Sequence, residues 1–142
     1  MKKLIITIIS IVFLCCSSDD AKPSGETELI GKWRLIEQLV DPGDGSGTFQ
    51  PINSNRTIEF FKDGTVETNG ILCFMSSEVG DVETGTYTLI TDTNNNIQND
   101  GEILPNTCIS RSAKVYFDLP ITGNLILWYQ CIEGCGQKFK KI

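Results

Sequence analysis

Ile58-Glu59-Phe60-Phe61-Lys62-Asp63-Gly64-Thr65-Val66 (residues 58–66) is the stretch on which the fold turns. Ile58 and Phe60 alternate with Thr57, Glu59 and Phe61, the period of two that a half-buried strand needs. Lys62-Asp63-Gly64 then supplies a turn, because Asp bonds its own backbone and Gly accepts positive φ. The chain returns as a strand over Thr65–Met75, kinked at Asn69-Gly70. The pattern repeats on both sides. Leu29–Val40 is the first apolar stretch, with Gly31 inside it and Asp-Pro-Gly ending it. Gly85–Thr91 sets Tyr87 and Leu89 against Thr86 and Thr88. Glu102–Ile109 and Ser112–Leu119 make a further pair, with Val115 and Phe117 opposed to Lys114, Tyr116 and Asp118. Leu125–Cys131 puts Leu125, Leu127 and Tyr129 on one face and Ile126 and Trp128 on the other; Gln137–Ile142 ends the chain. No window from Leu29 onward has helical periodicity. About eight strands joined by short turns predict an all-β antiparallel meander, either an up-and-down barrel or a β-sandwich.

The 142 residues allow one domain with a short appendage. A formal charge of −6 and the lack of any basic patch beyond Lys138, Lys140 and Lys141 argue against nucleic-acid binding. There is no His, which removes His-based triads and nearly all catalytic zinc sites. Ser and Cys have no imidazole to activate them, and the carboxylates are too scattered to nominate an acid/base couple. The chain reads as a non-enzyme with no catalytic residues, no metal site and no cofactor.

The N-terminus reads as an address. Met1-Lys2-Lys3 is a basic n-region, and Leu4–Leu14 is an apolar run too short to span a bilayer. It ends at Cys15-Cys16 rather than at an A-x-A site. This junction resembles the lipobox of bacterial lipoproteins, in which the signal peptide is cut just before an acylated Cys that follows a small residue. Cys16, preceded by Cys15, fits; Cys15, preceded by Leu14, does not. The expectation is a signal peptide over 1–15 and a lipidated Cys16, and the competing reading is an ordinary secreted protein. Residues 16–28 form a polar, Pro- and Gly-containing tether. Ser17-Ser18-Asp19-Asp20 resembles an export tag that one Gram-negative phylum uses for surface lipoproteins; it reads equally well as a solvated linker. Loss of Lys2 and Lys3 leaves 10 cations against 18 acids, a net of −8. An outer-membrane lipoprotein of a Gram-negative bacterium, held to the membrane through Cys16, is the expected location, with the periplasmic and the outer-surface face both open.

Four Cys then remain: Cys73, Cys108, Cys131 and Cys135. In an exported domain they allow two disulfides in three connectivities. Cys131-Ile-Glu-Gly-Cys135 suits a hairpin with Gly134 left-handed and the two Cys facing across its mouth. The favoured pairing is Cys131–Cys135 with Cys73–Cys108.

Gly31-Lys32-Trp33, opening the first strand, resembles the G-x-W element of lipocalins. With Ile58–Val66, Gly85-Thr86-Tyr87 and Leu125-Ile126-Leu127, residues 29–142 look like the lipocalin-like domain of bacterial lipoproteins. The resemblance implies an eight-stranded up-and-down barrel with Gly31 and Trp33 as its plug, near a basic residue from the far end of the chain such as Lys138 or Lys140. It implies little about function, since fold does not fix function. Phe60, Tyr87 and Trp128 are candidates to line a cavity, although aromatics at strand spacing are more often core. The Asp41–Thr48 loop carries Asp and Ser oxygens among glycines. It lacks the acidic residues a calcium loop requires at its fifth and twelfth positions, and reads as a Gly-rich loop at the barrel mouth. Asn55-Arg56-Thr57 matches a glycosylation sequon that bacterial export makes idle. Two functions follow: a monomeric, lipid-anchored carrier of a small apolar or amphipathic ligand, or an interaction or inhibitor protein with a filled barrel and partner-binding loops.

Overall fold

The computed structural model describes residues 28–90, 99–108, 113–119, 123–132 and 134–142. The signal-peptide, lipidation and tether expectations up to residue 27 lie outside the described residues.

The described residues form one antiparallel sheet: β1 (Gly31–Val40), β2 (Gln50–Pro51), β3 (Thr57–Phe60), β4 (Thr65–Thr68), β5 (Glu83–Leu89), β6 (Gly101–Pro105), β7 (Val115–Asp118), β8 (Asn124–Tyr129) and β9 (Cys135–Lys141). From β3 on, each strand pairs with the next. β9 then returns to pair with β1 from Trp33↔Lys141 to Val40↔Cys135, which closes the sheet. The short β2 and β3 share the other edge of β1, so eight strands go round. Closure removes the free edges and selects the barrel over the sandwich.

The period of two is borne out by burial. Ile58, Phe60, Val66, Tyr87, Ile103, Val115, Phe117, Leu125, Leu127 and Phe139 all turn inward, and their neighbours along each strand face out. The β3–β4 hairpin forms at Lys62-Asp63-Gly64. Gly64 adopts φ +83°, and the Asp63 carboxylate accepts the Thr65 amide (3.0 Å) and hydroxyl (2.6 Å). The Thr65 hydroxyl, then its amide, lowers the Asp63 pKa. Between Leu35 and Glu37 the β1–β9 register shifts by a bulge at Ile36. An unbroken alternation would aim the Glu37 carboxylate at the core; the bulge turns it out to pair with Lys138.

The structure corrects three details of the sequence reading. The return strand stops at Thr68 instead of continuing to Met75, and residues 69–82 form a loop. The two-residue β2 has no sequence signal, since its pairing to Glu37 and Gln38 is set by the neighbouring loop. Gly134 is not among the described glycines with positive φ, which are Gly31, Gly43, Gly45, Gly64 and Gly123.

Up-and-down order sorts the connections onto two ends. The start of β1, the β3–β4 hairpin and the C-terminus share one end, with Trp33. Loops 41–49, 69–82 and 130–134 and the segment after β6 share the other. Both disulfides, Cys73–Cys108 and Cys131–Cys135, form as paired above and lie at that second end.

Candidate functional site

Trp33 is 2 % exposed, and its indole N–H donates to the Leu29 carbonyl at 2.8 Å. The turn before β1 is thereby drawn across the barrel end, with Leu29 fully buried. Gly31 makes this turn at φ +120°, a conformation that side chains disfavour, and a Cβ there would lie 3.2 Å from Lys141 Cε. The basic partner of the indole is neither Lys138 nor Lys140. Lys141 places its ammonium 5.2 Å from the ring centroid and donates to the Glu28 carbonyl at 2.6 Å. Register decides this, because Lys141 is the residue opposite Trp33. Lys138 instead lies 4.5 Å from the Phe49 ring centroid and pairs with Glu37.

Phe60 and Tyr87 do meet inside the barrel, edge to face at 5.2 Å, and Phe117 completes a trio at 5.7 and 6.5 Å. Rings in this arrangement fill space as core packing does. The Tyr87 hydroxyl donates to the Phe61 carbonyl at 2.8 Å. Gly101 makes room for Phe117, since a Cβ there would overlap the ring. Trp128 does not join these residues. It sits on the outer face, opposite in parity to Leu127 and Tyr129. Its indole donates to Asp118 at 2.6 Å and its ring meets Phe49 at 5.9 Å. Gly136, buried beneath both rings, has no room for a Cβ: Trp128 Cζ3 would be 2.8 Å away.

Polar groups gather at the disulfide end. Arg56 is 1 % exposed and contacts no carboxylate among the described residues. Its guanidinium donates to the carbonyls of Ser76 and Ile71, and to the Tyr129 hydroxyl at 3.4 Å. Tyr129 donates in turn to Gln137 (3.0 Å), and Gln137 donates to the same Ser76 carbonyl (2.8 Å). Burial pushes the Tyr129 phenol up, against the pull of the Arg56 charge. Loop 69–82 is thus clasped onto the barrel mouth from inside, with Leu72 fully buried beneath it. The Leu72 amide donates to Glu83 at 2.7 Å, and Cys73–Cys108 ties the loop to the segment after β6. In the sequence Arg56 stands out only as the middle residue of the Asn55-Arg56-Thr57 sequon. A lone Arg before an alternating run carries no burial signal; its partners come from residues 71, 76 and 129.

Arg56→Met keeps most of the volume and strands the Ile71 carbonyl, while the Ser76 carbonyl keeps its Gln137 donor. An unsatisfied buried acceptor costs about 1–3 kcal/mol, and relief of the buried charge offsets part of that. The expected net loss is about 2 kcal/mol, with amide exchange across residues 69–82 accelerated far more than in β8. Hydrogen-exchange mass spectrometry checks this, and unchanged protection of the loop would show that it is held by other means.

Loop 41–49 is ordered by one side chain. The Asp41 carboxylate accepts the amides of Gly43 (2.7 Å), Gly45 (3.0 Å) and Gly47 (2.8 Å). These bonds, Gly47's foremost, lower its pKa. The carboxylate thus organises a Gly-rich loop, and no cluster of three or more His, Cys, Asp or Glu suited to a metal occurs among the described residues.

A closed antiparallel barrel with a Trp-plugged end and a looped mouth is the architecture of the lipocalin class. A family described as a lipocalin-like domain matches residues 29–112, and the chain belongs to that family. Neither the curated proteins nor the solved structures contain a significant match. Membership suggests binding in general, without a ligand.

Proposed function

We propose that this chain is a lipid-anchored binding protein of the bacterial cell envelope, and that it binds through the loops of its disulfide end. The filled interior carries this reading. Leu35, Ile58, Phe60, Ile103, Phe117 and Leu125 are each no more than 1 % exposed, and they meet one another where a carrier would hold its cargo. Trp33 and Leu29 cover one end; Leu72 and the Arg56 clasp cover the other. Native mass spectrometry of the protein, released from cell membranes in detergent, tests the reading. The expected species carries its acyl chains and no further small molecule. A stoichiometric apolar passenger would restore the carrier reading.

The anchor fits the same geometry. The chain enters the barrel from residues 28–30, at the Trp33 end, so a tether from Cys16 attaches at the end opposite the disulfide loops. Acyl chains stabilise membrane binding by about 0.8 kcal/mol per buried CH2, and more than one chain holds firmly. Cys16→Ala should shift the protein from the membrane pellet to the soluble fraction. Continued pelleting with the signal peptide removed would count against lipidation at this residue. Paired disulfides suit the oxidising compartments outside the cytoplasm.

A further inference from the structure

Exposed apolar side chains and unpaired negative charge coincide on the disulfide end. Val40, Ile71, Phe74, Val79, Val82 and Ile132 all lie at this end, and Ile132 is wholly exposed. Among the described residues, Phe61 and Ile142 are the exposed large hydrophobics at the opposite end, and Leu104 lies on the barrel wall. Large exposed apolar side chains gathered at one end of a small domain suit an interaction surface.

Among the described residues the unpaired charges on these loops have one sign. Asp41, Asp44, Glu78 and Asp81 stand on the same loops. The hydrogen bonds to Asp41, and that of the Ser46 hydroxyl to Asp44, lower both carboxyl pKa values and hold the groups ionised. Among the described residues the cations nearby are already engaged: Arg56 is buried, and Lys114 is paired with Glu102 at 2.8 Å. Arg111 lies outside the described residues.

The surface is also held in shape. Cys73–Cys108, the Arg56 clasp and the Asp41 cradle fix loops 69–82 and 41–49. The Asp41 amide donates to the Gly134 carbonyl at 3.1 Å, which joins loop 41–49 to loop 130–134. Little ordering entropy would be lost on binding.

We infer that the disulfide end docks a cationic amphipathic polypeptide segment, with apolar side chains seated on Phe74, Val79, Val82 and Ile132 and Lys or Arg facing the acidic loops. The inference rests on the loop-binding reading above and adds the partner's chemistry. An anionic membrane surface would be repelled by the same charges.

Fluorescence anisotropy with the detergent-released full chain tests it. The probe is a labelled synthetic Leu/Lys amphipathic helix, run beside its Lys→Glu and Leu→Ser counterparts. The Leu/Lys probe should bind at least tenfold more tightly than either counterpart, and more weakly as salt rises. A Phe74→Ser, Ile132→Ser double variant should weaken binding at least tenfold, as should Asp44→Asn with Glu78→Gln and Asp81→Asn. All these side chains are on the surface, so folding should be retained, with an unchanged melting temperature as the check. Glu28→Gln with Glu59→Gln, both toward the Trp33 end, should change little. Equal binding of the Glu probe, equal weakening by the distant variant, or no binding of the Leu/Lys probe would overturn the inference. Native mass spectrometry decides the filled-barrel reading separately, so the two can fail independently.

Discussion

Trp33→Ala should lower the unfolding free energy by about 3–5 kcal/mol, the usual range for truncating a buried Phe or Trp. Three losses add at this position. The indole, 2 % exposed, leaves a void between β1, β3 and β9, where its neighbours across the ladders are Ile58 and Lys141. The Leu29 carbonyl loses its donor. Lys141 loses the aromatic face beneath its ammonium. Against a typical stability of about 5–15 kcal/mol this is a large fraction, equivalent to a fall in melting temperature on the order of 10–20 °C. Trp33→Phe separates the terms. It keeps a ring in the plug but removes the donor, so it should cost about 1–3 kcal/mol. Differential scanning calorimetry of the three proteins measures both steps. A shift of only a few degrees for Trp33→Ala would show that the barrel end is closed by something other than this indole.

Features set by neighbours in sequence are legible in this chain, and features set by distant register are not. Alternation along a strand is local, so Ile58, Phe60, Tyr87, Val115, Phe117, Leu125 and Leu127 declare their faces from sequence, and β8 was read with the right parity. The same parity already set Trp128 opposite Leu127, yet its size made it a cavity candidate. Its burial comes from outside the barrel, through Phe49 on a loop and the missing side chain of Gly136. The bulge at Ile36 and the choice of Lys141 over Lys138 or Lys140 depend on β1–β9 register, across more than a hundred residues of chain. Arg56 is the extreme case. Two of its three partners are backbone carbonyls, which no residue type announces. The Gly-rich loop was legible as a loop because Asp41 and its glycines are neighbours in sequence, and the cradle uses bonds of two to six residues' separation. Long-range closure, by contrast, is visible in sequence only through cysteines.

Those cysteines give the second large effect. A Cys73→Ala, Cys108→Ala variant should lose about 4 kcal/mol by loop-closure entropy, since the bridge spans 35 residues. The Cys131–Cys135 bridge spans only 4 residues, and the same reasoning gives about 2 kcal/mol for its removal. The two should also differ in kind. Cys131 and Cys135 flank one tight connection, and β8 and β9 are already paired beside it from Asn124↔Lys140 to Tyr129↔Cys135. Their loss frees little beyond that loop. Cys73 and Cys108 join loop 69–82 to the segment after β6, so their loss releases the same cap that Arg56 holds from inside. Removing the bridge in an Arg56→Met background should then cost less than the sum of the separate losses, because residues in one shared structure do not act additively. Urea unfolding of the four proteins of this cycle measures the coupling. Thiol titration of the denatured, unreduced wild-type chain, with Cys16 acylated, should read near zero and verifies the starting state. Strict additivity would mean that the bridge and the arginine hold different structures, and that the mouth of the barrel is not closed by a single cap.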